Sequence, residues 1–317
     1  MNKTKFITIA CWIISTAVLV GLVAWFISGI GFAGGRDSWF GAGFGLGYFE
    51  ERTTQNVPVY DVDSMNIDWT SGRVSISRHH GSDIRITEFS QRELRDGEEF
   101  RIDVIDGTIR VNFHSNPGIF RNTPSKRLEV LIPYAFEHFD DFHVRTVSGR
   151  VNINDINALN INVSTTSGRI EASNLAAETL ALNTTSGRIE IYDSNADDMN
   201  LRTVSGRIGL TNTQAENLYS RTTSGRHYLS GTFNDITARS VSGRIEVISS
   251  IVPANLTVNT TSGRIEVMVP NEGEPISVQY SLRSGRFSSD IPVITGVNYA
   301  QFQLSSTSGR ISIYRLD

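Results

Sequence analysis

Cysteine is almost absent from this chain of 317 residues, in which Cys11 is the single example. The sequence after Cys11 therefore has no disulfide, no cysteine metal ligand and no cysteine nucleophile. Lysine is absent from residue 146 onwards, where 14 arginines and 15 acidic residues nearly balance. The formal net charge of the whole chain is −4, which argues against nucleic acid as a partner.

Charged residues are also absent between Lys5 and Arg36. Residues 6–30 read FITIACWIISTAVLVGLVAWFISGI, and this apolar segment is long enough to cross a bilayer as a tilted helix. The apolar core of a cleaved signal peptide is shorter, at roughly 7 to 15 residues, so we predict a retained transmembrane helix. The positive-inside rule places residues 1–5, with their two lysines, in the cytoplasm and the rest of this single-pass protein outside the cell membrane.

Residues 31–56 contain many glycines and aromatic residues, and we predict a flexible tether whose aromatic side chains favour the membrane interface. Two other interpretations of the N-terminal region are weaker. Residues 8–11 resemble a bacterial lipoprotein cleavage box, but only a short apolar run precedes Cys11. The alternating glycines of residues 41–47 resemble a phosphate-binding loop, but no strand precedes them and no helix follows.

An internal repeat is the strongest signal, because Ser-Gly-Arg occurs ten times. Seven of its glycines are 19, 19, 19, 19, 18 and 20 residues apart, and such a period indicates one structural unit stacked on copies of itself. We interpret these glycines as structural corners: Gly149, Gly168, Gly187, Gly206, Gly225, Gly243 and Gly263. The remaining copies lie at Gly72, Gly285 and Gly309. The interval from Gly72 to Gly149 is close to four periods, so we expect degenerate coils between them.

Each repeat predicts two strands joined at a Thr-Thr-Ser-Gly corner. After the glycine, apolar residues such as Ile189 and Ile191 alternate with polar ones; before it, Leu180 and Leu182 do the same, with Thr184 on their side. Units this short bury their apolar faces by stacking as parallel strands about 4.8 Å apart. The predicted fold class is all-β: a parallel β-solenoid, or β-helix, of ~19-residue coils, preceded by one transmembrane α-helix.

Two kinds of turn residue are predicted in each coil. The corner glycine is expected where the chain turns sharply with a positive φ. Six residues later, a side chain that caps turns locally recurs, as Asp155, Asn174, Asp193 and Asn212. Residues 57–145 are less regular, and we predict that they form the N-terminal cap and irregular coils, because an open coil exposes unpaired backbone. Residues 146–317 are the regular repeats.

Several segments together resemble a known bacterial family. They are WTSGRVSI, DGTIRVNF, LEVLIPYAFEHFDDFHVRTVSGRVNI and the TTSGRIE repeats. They resemble the "putative adhesin" β-strand-repeat family, which includes the LiaG-like envelope proteins, over about residues 57–317. The resemblance implies a membrane-anchored β-solenoid at the cell surface, with a largely undefined role that is sometimes associated with envelope-stress operons. That family often has Asp or another small polar residue after Ser-Gly, whereas this chain has Arg at all ten positions, so ligands inferred for acidic members need not transfer.

The arginine after each corner glycine is the candidate ligand-binding residue. Stacked coils would place these arginines about 4.8 Å apart, where two unit charges in water repel by just under ~1 kcal/mol. They are Arg150, Arg169, Arg188, Arg207, Arg226, Arg244 and Arg264. The favoured interpretation is a structural ladder, relieved by guanidinium stacking and by acids two residues later, namely Glu171, Glu190, Glu246 and Glu266. Arg150, Arg207 and Arg226 lack such an acid, which leaves a second hypothesis: a linear site for anionic envelope polymers, such as teichoic acid, or for anionic lipid headgroups.

A non-catalytic surface-binding or envelope-stress-associated module is therefore predicted, with no catalytic residue, metal or cofactor; its partners are the membrane, anionic polymers or another envelope protein. The alternative is a polysaccharide lyase or hydrolase, which would need clustered carboxylates, often with calcium.

The histidines at residues 79–80 and 138–143 are interpreted as solvated loop residues. His227 takes a position that other repeats give to Ile or Val, which we explain by a bulge that turns Tyr228 inward. A third hypothesis, ice binding, needs an exposed threonine array, whereas one threonine of each pair is predicted to point inward.

Overall fold

The computed structural model describes residues 48–113, 125–270, 275–294 and 299–316, and these residues are all-β. The predicted transmembrane helix, residues 6–30, lies outside the described residues, as do residues 1–5. Among the residues that are described, no helix is long and apolar enough to span a membrane. The first strand starts at Glu50, so residues 50–56 of the predicted tether are part of the sheet.

Sixteen strands cover most of the described residues. They are β1 (Glu50–Pro58), β2 (Ser64–His79), β3 (Asp83–Ser90), β4 (Arg101–Ile105), β5 (Thr108–Asn112), β6 (Lys126–Pro133), β7 (Phe139–Ser186), β8 (Ile189–Tyr192), β9 (Asn195–Ser205), β10 (Ile208–Ser224), β11 (His227–Ser242), β12 (Ile245–Ser249), β13 (Asn255–Val269), β14 (Ile276–Ser289), β15 (Val293–Ile294) and β16 (Gln301–Arg315). Their main order in the sheet is β1-β3-β6-β2-β7-β8-β10-β11-β12-β13-β16-β14-β15. β9 pairs in parallel with β7 and β10, and β5 joins β4 to β2.

Consecutive repeats stack in parallel with equivalent residues side by side, which confirms the predicted β-solenoid-like fold. Ile208 lies beside Ile189 on one side and beside His227 on the other. Along one coil Leu180, Leu182 and Thr184 are buried, the next four residues are at least partly exposed, and burial resumes at Ile189. This change of phase marks the corner, because a straight strand would keep its period of two. The core is therefore a set of continuous rows that run from coil to coil.

The corner glycines are required mainly because stacked backbones approach closely. A Cβ added at Gly187 would lie 1.6 Å from the carbonyl oxygen of Gly168, and one at Gly168 would lie 1.7 Å from that of Gly149. The expected positive φ holds for four of the seven corners, at 147° to 159°. It does not hold for Gly168, Gly187 and Gly225, whose φ lies outside the left-handed range. Contact with the preceding coil is thus the requirement that all seven share.

A left-handed backbone occurs instead at the second turn of the coil. The four predicted turn residues have φ values of 62°, 54°, 48° and 54° at Asp155, Asn174, Asp193 and Asn212. Asn and Asp adopt this conformation more readily than other residues with a side chain. Neighbouring turns are also joined, since Asn212 Nδ2 donates a 2.6 Å hydrogen bond to Asp193 Oδ1.

Six of the seven corner glycines have a threonine three residues before them, and this threonine points inward, as predicted; before Gly243 the residue is Ser240, which is also buried. The buried members of this row are Thr146, Thr165, Thr184, Thr203, Thr222 and Thr260. Thr146 Oγ1 donates to Thr165 Oγ1 at 2.9 Å. Burial of this row removes half of each Thr-Thr pair from the surface, so no flat array of paired threonines forms along these coils.

Both ends of the stack differ from the predicted chain order. Gly72 lies directly beside Gly149, so no coil lies between these two repeats in the stack. The described residues of the intervening segment stack instead on the other side of β2, where β5 and β6 pair in parallel with it. This segment includes β3–β6, in which β3 pairs antiparallel with β1 and β6 and covers the end of the solenoid. At the other end, Gly309 lies between Gly263 and Gly285, so the last repeat of the chain is the penultimate coil.

His227 occupies a core position rather than a bulge. It lies between Ile208 and Ile245 in register, is 1% exposed, and its Nδ1 lies 2.7 Å from Ser220 Oγ. Tyr228 is 38% exposed, so the prediction that it turns inward is wrong. The shorter coil is accommodated elsewhere, at a register shift between Leu210 and Thr213. Burial lowers the pKa of His227 to about 4.

We predict that this histidine makes the fold sensitive to mild acid. The unfolded histidine has a pKa near ~6.5, so below that pH the unfolded state binds a proton that the folded state binds only below about 4. The free energy of unfolding is therefore unaffected by the titration of His227 above pH ~6.5. As the pH falls towards 4, proton binding by the unfolded state lowers it by roughly 3 kcal/mol in total. Urea midpoints of the parent and His227→Leu at pH 7 and pH 4 test this. The parent should lose clearly more stability than the variant; equal losses would contradict the prediction.

Candidate binding surface on the arginine face

The arginines that follow the corner glycines stack in register. Arg73 lies beside Arg150, Arg264 beside Arg310, and Arg310 beside Arg286. The line therefore extends beyond the seven predicted members. We call its ten members the corner row: Arg73, Arg150, Arg169, Arg188, Arg207, Arg226, Arg244, Arg264, Arg310 and Arg286 in order along the stack.

Three of the four acidic residues predicted as partners pair with the corner row. The pairs are Arg169–Glu171 at 3.4 Å, Arg264–Glu266 at 3.3 Å, Arg244–Glu266 at 3.8 Å and Arg244–Glu246 at 4.0 Å. All of these side chains are partly exposed, so each pair contributes at most about 1 kcal/mol to stability. These parts of the row match the predicted structural ladder.

The middle of the corner row lacks such partners. Within the described parts of the chain, no ion pair forms at Arg188, Arg207 or Arg226, and all three side chains are exposed. The fourth predicted acid, Glu190, extends its carboxylate over Gly209 of the next coil instead of pairing with Arg188. Three neighbouring coils, about 4.8 Å apart, therefore each present one guanidinium group to solvent. Such forked donors are suited to phosphate and carboxylate groups.

A second set of arginines, which was not predicted from the sequence, lies on the neighbouring face. Four residues before the corner glycine, the side chain points outward, and this position holds Arg145, Arg202, Arg221 and Arg239. Arg221 lies directly beside Arg202 on one side and Arg239 on the other. An open groove of about 540 Å³ runs along this face, between Arg145 and Arg221. Aligning the repeats on outward positions, and not only on inward ones, would have revealed these arginines.

The geometry adds no support for a metal site or a catalytic histidine. In the described residues, no group of three or more His, Cys, Asp or Glu side chains is arranged to hold a metal ion. His79 Nε2 lies 2.9 Å from the Asp83 carbonyl oxygen, and His80 packs against the Tyr134 ring. His143 belongs to strand β7, not to a loop as predicted, and lies 3.6 Å from Asp141.

Comparison with known proteins gives one family match and several similar folds. The family model described as Toastrack DUF4097 matches residues 62–313. A solved "putative lipid binding protein" from Parabacteroides distasonis is 12% identical, with a TM-score of 0.49, over 84% of this chain and 96% of that chain. A "putative adhesin" from the same organism is 11% identical, with a TM-score of 0.44, over 83% and 96%. Another, from Parabacteroides merdae, is 13% identical, with a TM-score of 0.43, over 81% and 95%. The comparison with curated proteins finds no match.

Proposed function

Because the family match spans residues 62–313, this chain belongs to the Toastrack DUF4097 family, and we propose that it is a non-catalytic binding module of the cell envelope. This family assignment confirms the predicted resemblance to an adhesin-type repeat family, whereas the narrower LiaG-like assignment stays a prediction. In the proposed function, the middle of the corner row holds an anionic envelope polymer. The observation that carries the proposal is the run of exposed arginines without ion-pair partners at Arg188, Arg207 and Arg226.

The electrostatics of this run favour a polymer over a small anion. Unpaired like charges on adjacent coils repel one another, and a bound chain of phosphates or carboxylates relieves the repulsion at several coils together. A rigid parallel stack also holds the arginine backbones at fixed spacing, so little conformational entropy of the backbone is lost on binding. The site requires no movement of the fold. It depends on salt, because the arginines are exposed.

Replacing the three adjacent unpaired arginines in the middle of the corner row together is the direct test. We expect Arg188→Gln, Arg207→Gln and Arg226→Gln in one chain to weaken binding to teichoic acid by about tenfold or more at low salt. The full-length chain, purified in non-ionic detergent, would be titrated against the polymer at several salt concentrations. A triple variant with Arg85, Arg101 and Arg110 changed to Gln removes the same charge from exposed positions in the cap and should bind nearly as the parent does. If the corner variant folds and binds as tightly as the parent, the corner row is a structural ladder only.

We also propose that the module is anchored in the cell membrane by residues 6–30, with its solenoid outside the cytoplasm. The support is the length of the uncharged segment and the lysines that precede it. The protein should fractionate with the membrane before any treatment. Protease added to intact, wall-stripped cells should then digest the chain beyond about Arg36. Release of an intact soluble fragment by signal peptidase would contradict the anchor.

A polysaccharide lyase or hydrolase stays the alternative function. The same preparation, incubated with acidic and neutral polysaccharides with and without calcium, should produce no new chain ends. Turnover that disappears when one acidic residue is changed to its amide would identify an enzyme instead.

A further inference from the structure

The groove beside the corner row combines positive charge with neutral hydrogen-bonding groups. Its lining includes Arg145, Arg202 and Arg221, together with Ser, Thr, Asn and Val side chains of the coils between them. None of the described residues that line it is acidic. In the outward row of Arg145 and Arg202, Asp141 and Asp198 lie four residues further from the corner. Each accepts a hydrogen bond from the next coil, as Asp198 Oδ1 does from Asn217 Nδ2 at 2.9 Å. The groove is therefore a cationic surface separate from those carboxylates.

Arg202 is held in place by its neighbours. Its Nε donates to Asn200 Oδ1 at 3.1 Å, and its guanidinium carbon lies 5.4 Å from the centroid of the Tyr219 ring. These contacts leave both Nη groups without a hydrogen-bond partner among the described residues. Arg221 lies beside Arg202 in the next coil and is also exposed. One end of the groove thus presents two adjacent guanidinium groups, one of them pre-oriented, and pre-orientation lowers the entropic cost of binding an anion.

The opposite end holds Arg145, three coils away, or about 14 Å at the strand spacing. Between the two ends, the outward positions carry Ser164, Asn183 and Thr185, whose hydroxyl and amide groups donate and accept hydrogen bonds. A ligand that fills the groove along the stack meets arginines at both ends and neutral polar groups between them. A chain bearing only charges could accept hydrogen bonds from these groups but would donate none to their oxygens.

We propose that this groove binds a linear anionic polymer whose repeating units also carry hydroxyl groups, such as an acidic polysaccharide or a polyol phosphate. Arg202 and Arg221 bind one carboxylate or phosphate, Arg145 binds another, and Ser164, Asn183 and Thr185 bind the hydroxyl groups between them. The inference deepens the proposed function, on which it rests for the general class of ligand. It assigns selectivity to residues outside the corner row.

Binding of defined polymers by the full-length chain tests the groove. The probes are polygalacturonate oligomers, poly(ribitol phosphate), inorganic polyphosphate as charge without hydroxyl groups, and dextran as hydroxyl groups without charge. We expect tight binding of the first two, weaker binding of polyphosphate and none of dextran. Preference for polygalacturonate or for poly(ribitol phosphate) then identifies carboxylate or phosphate as the natural anion.

Two variants separate charge from hydroxyl recognition. Arg202→Gln with Arg221→Gln should weaken binding of both hydroxyl-bearing polymers by at least about tenfold. The matched control, Arg101→Gln with Arg110→Gln, removes the same charge from the cap and should have little effect. Asn183→Ala with Thr185→Val should weaken polygalacturonate several-fold and polyphosphate clearly less, because only the former has hydroxyl groups that donate to the oxygens of these residues. All these positions are at least partly exposed, so unchanged melting temperatures are expected.

The outcomes distinguish the groove from the corner row. If the Arg202 and Arg221 variant binds every probe as the parent does while the corner-row variant does not, the groove inference is wrong and the proposed function stands. If polyphosphate binds as tightly as polygalacturonate, recognition of hydroxyl groups is wrong. If the parent binds none of the anionic probes, both the proposed function and the groove inference fail.

Discussion

Replacing Gly187 with alanine is expected to lower the free energy of unfolding by at least about 3 kcal/mol, although the change adds a single methyl group. The new Cβ would lie 1.6 Å from the Gly168 carbonyl oxygen and 2.7 Å from its carbonyl carbon. Backbone atoms in the middle of a stacked ladder cannot move aside without separating two coils. Every corner glycine approaches the carbonyl oxygen of a neighbouring coil in the same way, so a shift of one coil would disturb the corner contacts of the next. Urea denaturation of the two chains measures the difference.

Gly209→Ala is the matched control, because it adds the same methyl group one coil further along. There the nearest atoms belong to the carboxylate of Glu190, the far end of a flexible side chain that can swing aside. Alanine also reduces the backbone entropy of the unfolded chain. We therefore expect Gly209→Ala to change stability by less than about 1 kcal/mol. Similar losses for the two variants would show that close stacking at the corner is not what selects glycine.

The repeats reveal the coil because its rules are local. Inward positions such as Ile189 and Leu180 follow from alternation within one strand, and the period of the repeat fixes which residues of adjacent coils meet. The turn at Asn174 was predicted for the same reason, since Asn and Asp favour turns on their own, although its left-handed backbone was not. His227 was misread because an imidazole in an aliphatic row looks like a defect; its hydrogen bond to Ser220 lets the core accept it.

The order of the end coils could not be read from spacing. The interval between Gly72 and Gly149 fits a whole number of periods closely, yet these two glycines stack directly on each other. Which strands pair at the ends of the stack depends on which strand edges remain unpaired after the regular coils have stacked. The period of the repeat carries no information about those edges. The insertion of β16 between β13 and β14 has the same origin. The unpaired middle of the corner row was predicted only in part, because Glu190 stands at the predicted position but points elsewhere.

At the capped end, Lys126 begins the ladder of backbone contacts. Its carbonyl oxygen lies where a Cβ of Gly72 would be, and its side chain turns into the cap. Lys126 Nζ lies 2.7 Å from Glu88 Oε1, and neither side chain is exposed to solvent. Nζ also donates to the carbonyl oxygen of Glu98, and Glu88 Oε2 accepts a 3.1 Å hydrogen bond from the Phe100 backbone. Burial raises the pKa of Glu88, so its carboxylate depends on the lysine.

Lys126→Met is therefore expected to destabilise the protein by about 3 to 5 kcal/mol at neutral pH, because it leaves Glu88 buried without a counter-charge. In this variant the carboxyl can take up a proton, which the folded state then binds at a higher pH than the unfolded state does. The loss should accordingly be largest at neutral pH and shrink as the pH falls towards the unfolded pKa of about 4.3. The double variant Glu88→Gln with Lys126→Met removes both charges and should recover most of the stability, independently of pH. Urea midpoints at pH 5 and pH 7.5 measure all three chains. A double variant no more stable than Lys126→Met would show that the lysine stabilises the cap by packing, with the ion pair contributing little.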